Sequence, residues 1–552
     1  MAIEVSSGGA ARRGVRASAA LTAGYWALAL VPVAALFVLA VLSPPMAMND
    51  YLSDDAYYYL RVAANIARGA GSTYGNLVPT NGYHPLWQLA LVPVFWLIRA
   101  PDQAIPAVFA IASAAWIACV VLYRRIGQLC DAEAAFLLGG LYLCWLGTFA
   151  LPGGAGLVFL GMETTLALPL ALWLIEWSLS RAIFTAAPQS PRTLLTIGAV
   201  LTLLCLARLD AVFIAGATIA AFVLVRRQRG WHASLRDGIV MGAPLAITLL
   251  IYMATNQVLF GAAMPVSGAA KALGGPFLNF NPLIASLWGA STLQLRTIPL
   301  GLVFVAAPAT VLALAWRKTG DRDTDGARTQ LLVIAAVLLA GVALHLVYLC
   351  VGSSWPIWAW YGYGRALLGA IVVPLALAAV WRRWIAVPMV VAVTVALLAL
   401  GSGAVVAKRL ALGDNRSSYW VHAERDAAQL NAILPADAVV AMGDLAGSLG
   451  YRLARPMVQI EGLVEGAEYL RALRQPGGWQ SYFRARGVTY IAAADYRLQS
   501  CADAVPGCHV IVEPKFGEGP KVRMHVRDTD VVFHDRDLTV WRYRPEIQAP
   551  SR

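Results

Sequence analysis

Charge is scarce in this sequence: 13% of its 552 residues are Asp, Glu, Lys or Arg, 59% are hydrophobic, and only 7 are histidine. No zinc-type Cys/His spacing, Walker loop or dinucleotide fingerprint stands in a strand–helix context, which excludes ATP use and a nucleotide-sugar domain. Energy for any group transfer must then arrive with an activated substrate. Cysteine is sparse too, with 7 in all. Cys119, Cys130, Cys144, Cys205 and Cys350 lie in or beside apolar runs, where the thiol acts as a small hydrophobe. Only Cys501 and Cys508, in "CADAVPGC", stand in polar surroundings. They suit either a short disulfide loop, which requires an oxidising compartment, or two free thiols.

What the sequence has instead is a succession of apolar runs of roughly 17–25 residues, the length that crosses a hydrocarbon core. They predict a polytopic α-helical membrane protein. The formal net charge of +12 does not point to nucleic acid, because the basic residues sit in short loops between apolar runs. The first run, 20–42, follows Arg12, Arg13 and Arg16; it is too long for a signal-peptide core and no small-residue cleavage site follows. It reads as a retained helix after a cytoplasmic tail of residues 1–19.

Arginine clusters orient the remainder. Placing Arg124-Arg125, Arg181 with Arg192, "RRQRG" at 226–230, "WRKTGDRDTDGAR" at 316–328 and Arg382-Arg383 inside predicts spans at 104–123, 134–151, 156–178, 194–208, 211–225, 238–260, 297–316, 329–351, 365–381 and 385–406. With the first run this gives about eleven crossings. The apolar piece 86–98 is short for a span and would invert the arginine pattern, so it reads as an interfacial or re-entrant helix. The membrane domain is then 20–407, with a first outer loop at 44–85, and residues 408–552 form a small extracytoplasmic α/β domain. In that domain "WVHAERDAAQLNAIL" reads as an amphipathic helix, "ADAVVAMGD" and "RPMVQIEGLV" as strands around a glycine-rich turn, and "DLTVWRYRP" as a closing strand. Asp444 and Glu461 fall in loops after strands, positions suited to acceptor binding or to a structural cap.

This topology gathers five polar clusters at the outer face: "SDDAYYYLR", "GMETT", "ARLD", "FGAAMPVSGAAK" and "SSWPIWAWYGYGR". Charge near a membrane is costly and marks a site. Asp54 and Asp55 open a helix, where one acid suffices as N-cap; the second suits a general base for a hydroxyl or amine. Arg61 and Arg68 share a face of that helix, suited to phosphate or to snorkelling toward headgroups. His84 suits phosphate, catalysis, a metal or a structural hydrogen bond. Glu163 interrupts an apolar run with no neighbour in sequence to neutralise it, so its partner must come from another helix or a ligand. Arg208 and Asp210 either pair locally or reach the site of Glu163. Lys271 and Arg365 suit a phosphate, while Trp360 and Tyr361 suit a sugar, a prenyl chain or lipid anchoring.

"SDDAYYYLRVAANIARGAG…PTNGYHPLW", "GMET", "ARLD", "FG…PVSGAAK" and the later "WAWY" resemble the C-type integral-membrane glycosyltransferases, among them the aminoarabinose, protein mannosyl and arabinofuranosyl transferases. The resemblance implies transfer of a sugar from a polyprenyl-phosphate carrier to a cell-envelope glycan, lipid or protein, outside a bacterial cytoplasmic (inner) membrane. It makes Asp54 or Asp55 the catalytic base and Arg61, Lys271 and Arg365 the phosphate ligands, with Tyr58 and His84 beside them on the donor side. Glu163, Arg208, Asp210, Trp360 and Tyr361 would hold the sugar or acceptor. Attack with inversion is expected. The resemblance leaves a divalent metal open, since some relatives use one. A transporter or flippase of a polyprenyl-linked substrate is the competing class, but such proteins place polar groups near the midplane and often show repeats.

Overall fold

Within lipid a chain can satisfy its peptide groups only through a helix or a closed barrel, so apolar runs of this length become helices. The computed structural model describes residues 7–42, 49–276, 278–288, 326–380, 386–412, 419–501 and 506–548. Among these, seven helices are long and apolar enough to cross a membrane. They fall within or across α1 (Ser7–Leu42), α4 (Pro101–Leu129), α8 (Val212–Arg226), α9 (Trp231–Phe260), α11 (Ala327–Gly352), α12 (Tyr363–Val380) and α13 (Val387–Leu412). The shorter apolar helices are α3 (Pro85–Leu97), α5 (Glu133–Gly147), α6 (Thr164–Ser180) and α7 (Pro191–Ala207). The chain is thus a multi-pass, mostly helical membrane protein. The expected span at 297–316 lies outside the described residues.

Proline at the first helical position starts α3, α4 and α7, where its missing N–H costs nothing. The bundle packs α1 on α13, α4 on α6, and α7 on α9. Two expected spans are corrected. Residues 148–163 are not helical, so the runs at 134–151 and 156–178 shrink to α5 and α6. Gly153, Gly156 and Gly161, all with positive φ, turn the chain there in ways a helix does not allow.

After α14 (Tyr419–Ile433), eight short strands follow: β1 (Val440–Met442), β2 (Met457–Gln459), β3 (Tyr490–Ala494), β4 (Leu498–Ser500), β5 (Cys508–Glu513), β6 (Val522–Arg527), β7 (Val531–Asp535) and β8 (Leu538–Arg542). Five form one sheet in the order β2-β1-β3-β8-β7; its first three strands are parallel, and β8 runs antiparallel to both β3 and β7. The other three form an antiparallel sheet, β4-β5-β6. Every residue of β1 and β3 is buried, as expected for strands covered on both faces. Helix α16 (Gly478–Ala485) precedes β3. Cys501 and Cys508 are disulfide-bonded.

The glycine-rich stretch after β1 is not a simple turn. Residues Ala446–Arg452 form a helix, α15, and its glycines admit close neighbours rather than bend the chain. This helix and β2 sit on the segment around α2 (Asp54–Ala67). The Tyr74 hydroxyl donates to the Ala446 carbonyl at 2.6 Å, and the Met457 N–H to the Gly75 carbonyl at 3.2 Å. A Cβ on Gly75 would lie 1.7 Å from the Met457 oxygen, and one on Gly82 2.0 Å from the Leu463 oxygen, so backbone meets backbone along this seam.

Candidate functional site

Helix α2 starts at a serine N-cap: Ser53 Oγ accepts the Ala56 N–H, so neither aspartate is needed as the cap expected for one of them. At 3.6 residues per turn, Asp54, Tyr58 and Arg61 share one face, and Asp55 and Tyr59 the adjacent one. The two acids therefore meet different neighbours.

Asp54 faces the sheet domain. Its Oδ2 accepts the Gly447 N–H and its Oδ1 the Ser448 N–H, both at 2.8 Å. The carboxylate thus supplies the first turn of α15 with acceptors that the helix itself lacks. Leu445, just before α15, has φ 63°, a conformation costing a bulky residue about 1–2 kcal/mol. Burial raises the Asp54 pKa from 3.8 to about 6, although the Ser448 and Gly447 hydrogen bonds oppose it. Tyr58 and Arg61 follow onto the same side. Gln459 Nε2 lies 3.4 Å from the Tyr58 hydroxyl, whose ring meets Tyr74 edge-on at 5.1 Å. The Arg61 guanidinium is buried and donates to the Tyr74 carbonyl at 3.4 Å. Both therefore lie on the Asp54 side of α2, a placement dictated by helical period rather than by chemical type.

Asp55 is different. Among the described residues, no hydrogen bond to its carboxylate is present, and it is only partly buried. Burial raises its pKa from 3.8 to about 7; Lys271 pulls it down, while Asp54, Glu163 and Asp444 push it up. A half-buried carboxylate poised near neutrality, without a fixed donor, is equipped to accept a proton.

One turn on, Tyr59 donates to Glu163 Oε2 at 2.9 Å. Glu163 is buried just before α6 rather than one turn inside a span, and its partner does come from another helix. Arg208 Nη1 lies 2.5 Å from Glu163 Oε1, and its other two nitrogens hold Asp210 at 3.0 and 2.6 Å. Arg208 therefore both pairs locally and reaches Glu163. Burial opposes its charge, but the two carboxylates win and raise its pKa. His84 accepts the Leu209 N–H on Nδ1 at 3.1 Å, leaving Nε2 to carry the proton of the neutral ring, 3.8 Å from Glu163 Oε1. Burial lowers the His84 pKa and favours that neutral form.

Beyond Asp210 an open groove is lined by Asp210, His345, Tyr361, Tyr363 and Arg365. Lys271, at the end of α10 (Val266–Lys271), donates to the Tyr361 hydroxyl at 2.7 Å. Burial lowers the Lys271 pKa, yet Tyr361 and Asp55 more than offset this and keep it charged. The Tyr361 ring also lies under Arg208, at 5.6 Å, and His345 stacks on it at 6.4 Å. Trp360 is buried against Trp358, 6.0 Å away, and presents no face to the groove comparable with that of Tyr361. Two participants escaped the sequence reading. Tyr59 stood unnoticed among three tyrosines; His345, whose Nε2 is 3.4 Å from Asp210 Oδ2, carried the signal of a polar residue inside an apolar span.

The donors do not fit a divalent metal. Among the described residues no three His, Cys, Asp or Glu side chains group as ligands, and Arg208 already occupies Glu163 and Asp210. The arrangement can instead accept a proton at Asp55, beside the Lys271 charge.

No protein-family model matches the chain, and no curated protein does. Among solved structures, ArnT from Cupriavidus metallidurans in the apo state superposes with a TM-score of 0.52 at 15% identity, covering 95% of this chain and 98% of that one. The same protein bound to undecaprenyl phosphate gives 0.50 at 13% identity, covering 95% and 99%. Over nearly its whole length, then, the chain has the fold of ArnT.

Proposed function

We propose that this protein is a glycosyltransferase that moves a sugar from a polyprenyl-phosphate carrier to a glycan, lipid or protein acceptor of the cell envelope, with Asp55 as general base. The observation that carries this reading is the division of labour on α2: Asp54 is bound by two backbone N–H groups, whereas Asp55, among the described residues, has no hydrogen bond to its carboxylate and lies in the field of the Lys271 charge. The ArnT fold, with undecaprenyl phosphate bound in one of its structures, supports the carrier class.

In this reaction the acceptor hydroxyl or amine attacks the anomeric carbon from the face opposite the phosphate. Its proton passes to a carboxylate oxygen of Asp55 as the new bond forms. The bond from the anomeric carbon to the phosphate oxygen breaks with its electron pair, and polyprenyl phosphate leaves against Lys271 and Arg365. The sugar is inverted. Glu163 acts by holding Arg208 and Tyr59, while Asp210, Arg208 and Tyr361 border the sugar, and the neutral His84 ring braces the same cluster. The proposed membrane unit is 20–407 and the proposed extracytoplasmic domain 408–552, in a bacterial cytoplasmic membrane with the N-terminus inside.

The test is transfer from a panel of radiolabelled polyprenyl-phosphate sugars to membrane acceptors. Asp55→Asn is expected to lower transfer by on the order of 10²–10⁴-fold, the range for a positioned general base. Its affinity for undecaprenyl phosphate should stay within about twofold. Wild-type transfer by Asp55→Asn sinks the mechanism. If no sugar is transferred from any carrier while labelled carrier crosses the bilayer, the flippase reading replaces it.

A further inference from the structure

We propose that Asp54 is not the second member of a catalytic pair but a latch. It fastens the sheet domain to the helix that carries Asp55, and so acts as a positioning residue for the transfer. The inference rests on the proposed function only where it concerns transfer; the latch itself can be tested without it.

The geometry is specific. Both Asp54 oxygens are taken by consecutive backbone N–H groups, Gly447 and Ser448, at equal distances of 2.8 Å. The approach needs a glycine: a Cβ on residue 447 would lie 2.2 Å from the Asp54 carbonyl oxygen and 2.7 Å from its Oδ2. The residue that launches α15, Leu445, is held in the left-handed region immediately before the bonded N–H groups. The rest of α15 continues the seam. Tyr451 donates to the Pro101 carbonyl at 2.8 Å, and Arg452 Nε to Asp102 at 3.0 Å.

A structural clasp alone would have no bearing on chemistry, but this one shares a helical turn with the base. The groups acting on Asp55 are Lys271 from α10, Glu163 before α6, Asp54 and Tyr58 on its own helix, and Asp444 and Glu461 from the sheet domain. Asp444, three residues before Gly447, has its Oδ2 fixed by the Tyr496 hydroxyl at 2.7 Å. The seam thus places two sheet-domain carboxylates beside the base. If the seam opens, Asp55 loses them and its surroundings become wetter and less acidic.

Full-length protein in lipid nanodiscs provides the test, with amide hydrogen exchange and sugar transfer measured on the same preparations. Asp54→Asn keeps one acceptor but removes the charge; it should speed exchange across 446–452 on the order of tenfold or more, the factor expected for one lost hydrogen bond to a charged group. Gly447→Ala alters the charge of neither acid, yet should produce the same opening by crowding Asp54. Both should move the acidic limb of the transfer–pH profile to lower pH, with affinity for undecaprenyl phosphate unchanged. Asp55→Asn should leave exchange at 446–452 as in wild type. Unchanged exchange in Asp54→Asn and Gly447→Ala overturns the latch. Opened exchange with an unmoved pH profile overturns the positioning role. Should wild type transfer no sugar, the proposed function fails, and exchange alone decides the latch.

Discussion

Arg208 is the counter-charge for two acids, and replacing it by methionine tests how the site is held together. The Arg208 and Glu163 side chains are 2% and 1% exposed, so neither ion recovers solvent when its partner is lost. Breaking a pair this deep costs about 3–5 kcal/mol, because the remaining charge is stranded in a low-dielectric interior. The two acids do not share that cost equally. Without Arg208, Glu163 keeps, among the described residues, the Tyr59 hydroxyl and His84 at 3.8 Å. Asp210 retains the His345 ring at 3.4 Å and is the less buried acid, its side chain 13% exposed. Arg208→Met should therefore lose about 3–5 kcal/mol, and Glu163→Gln in that background should restore most of it, since removing a whole buried pair is often neutral. Asp210→Asn should rescue much less. The assay is unfolding of the purified protein in mixed micelles, arranged as a double-mutant cycle for each acid. A loss below about 1 kcal/mol for Arg208→Met, or equal rescue by both partners, would refute an assignment of the main stranded charge to Glu163.

Two further outcomes follow from the same geometry. Lys271→Met removes the donor to Tyr361 and a cation acting on Asp55, so the acidic limb of the transfer–pH profile should rise, and transfer below it should drop by roughly 10–100-fold, the worth of a charge-assisted hydrogen bond; a profile unmoved in this variant contradicts the proposed pairing. Stability should depend on pH in an uncommon direction. Asp54 and Asp55 bind protons more tightly folded than unfolded, with pKa values raised from 3.8 to about 6 and about 7, so their contribution is full below pH 3.8 and fades as pH rises through about 7. Thermal unfolding of the wild type and of an Asp54→Asn, Asp55→Asn double variant at about pH 5 and about pH 8 should show the wild type gaining stability relative to the variant at the lower pH; a constant difference speaks against the raised values.

Much of this architecture was legible because membranes impose simple rules. Hydrocarbon thickness located the cores of α1, α4, α9, α11 and α13, although α1, α4, α9 and α13 each run a turn or more past the expected span at one end. The same rules misjudged 148–163, where glycines with positive φ override apolar composition. In the sheet domain, α14, β1, β3 and β8 were readable from period and apolar content; β4, β5 and β7 alternate too weakly to stand out, while β6, with Val522, Met524 and Val526 buried between polar residues, carried a legible alternation that went unassigned. At the site, residue types pointed to Glu163, Arg208, Asp210, Lys271 and Arg365, since charge beside lipid is rarely idle. Which aspartate is free was not legible at all. That answer depends on Gly447 and Ser448, which lie 393 and 394 residues away in sequence and whose contribution is backbone rather than side chain.

That separation has a consequence for biosynthesis. A ribosome adding about 5–20 residues per second needs on the order of tens of seconds to travel from α2 to α15. Through all of that interval Asp54 has no partner, and the seam glycines Gly75 and Gly82 wait with it. The sheet behind α15 closes later still, because β8 pairs on both edges, with β3 and β7. A nascent chain can thus have its membrane helices in place while its acid helix still lacks the partner domain. Under the proposed function, transfer waits for the sheet domain to dock, and an insertion that delays this domain would leave a bundle that is embedded but not yet active.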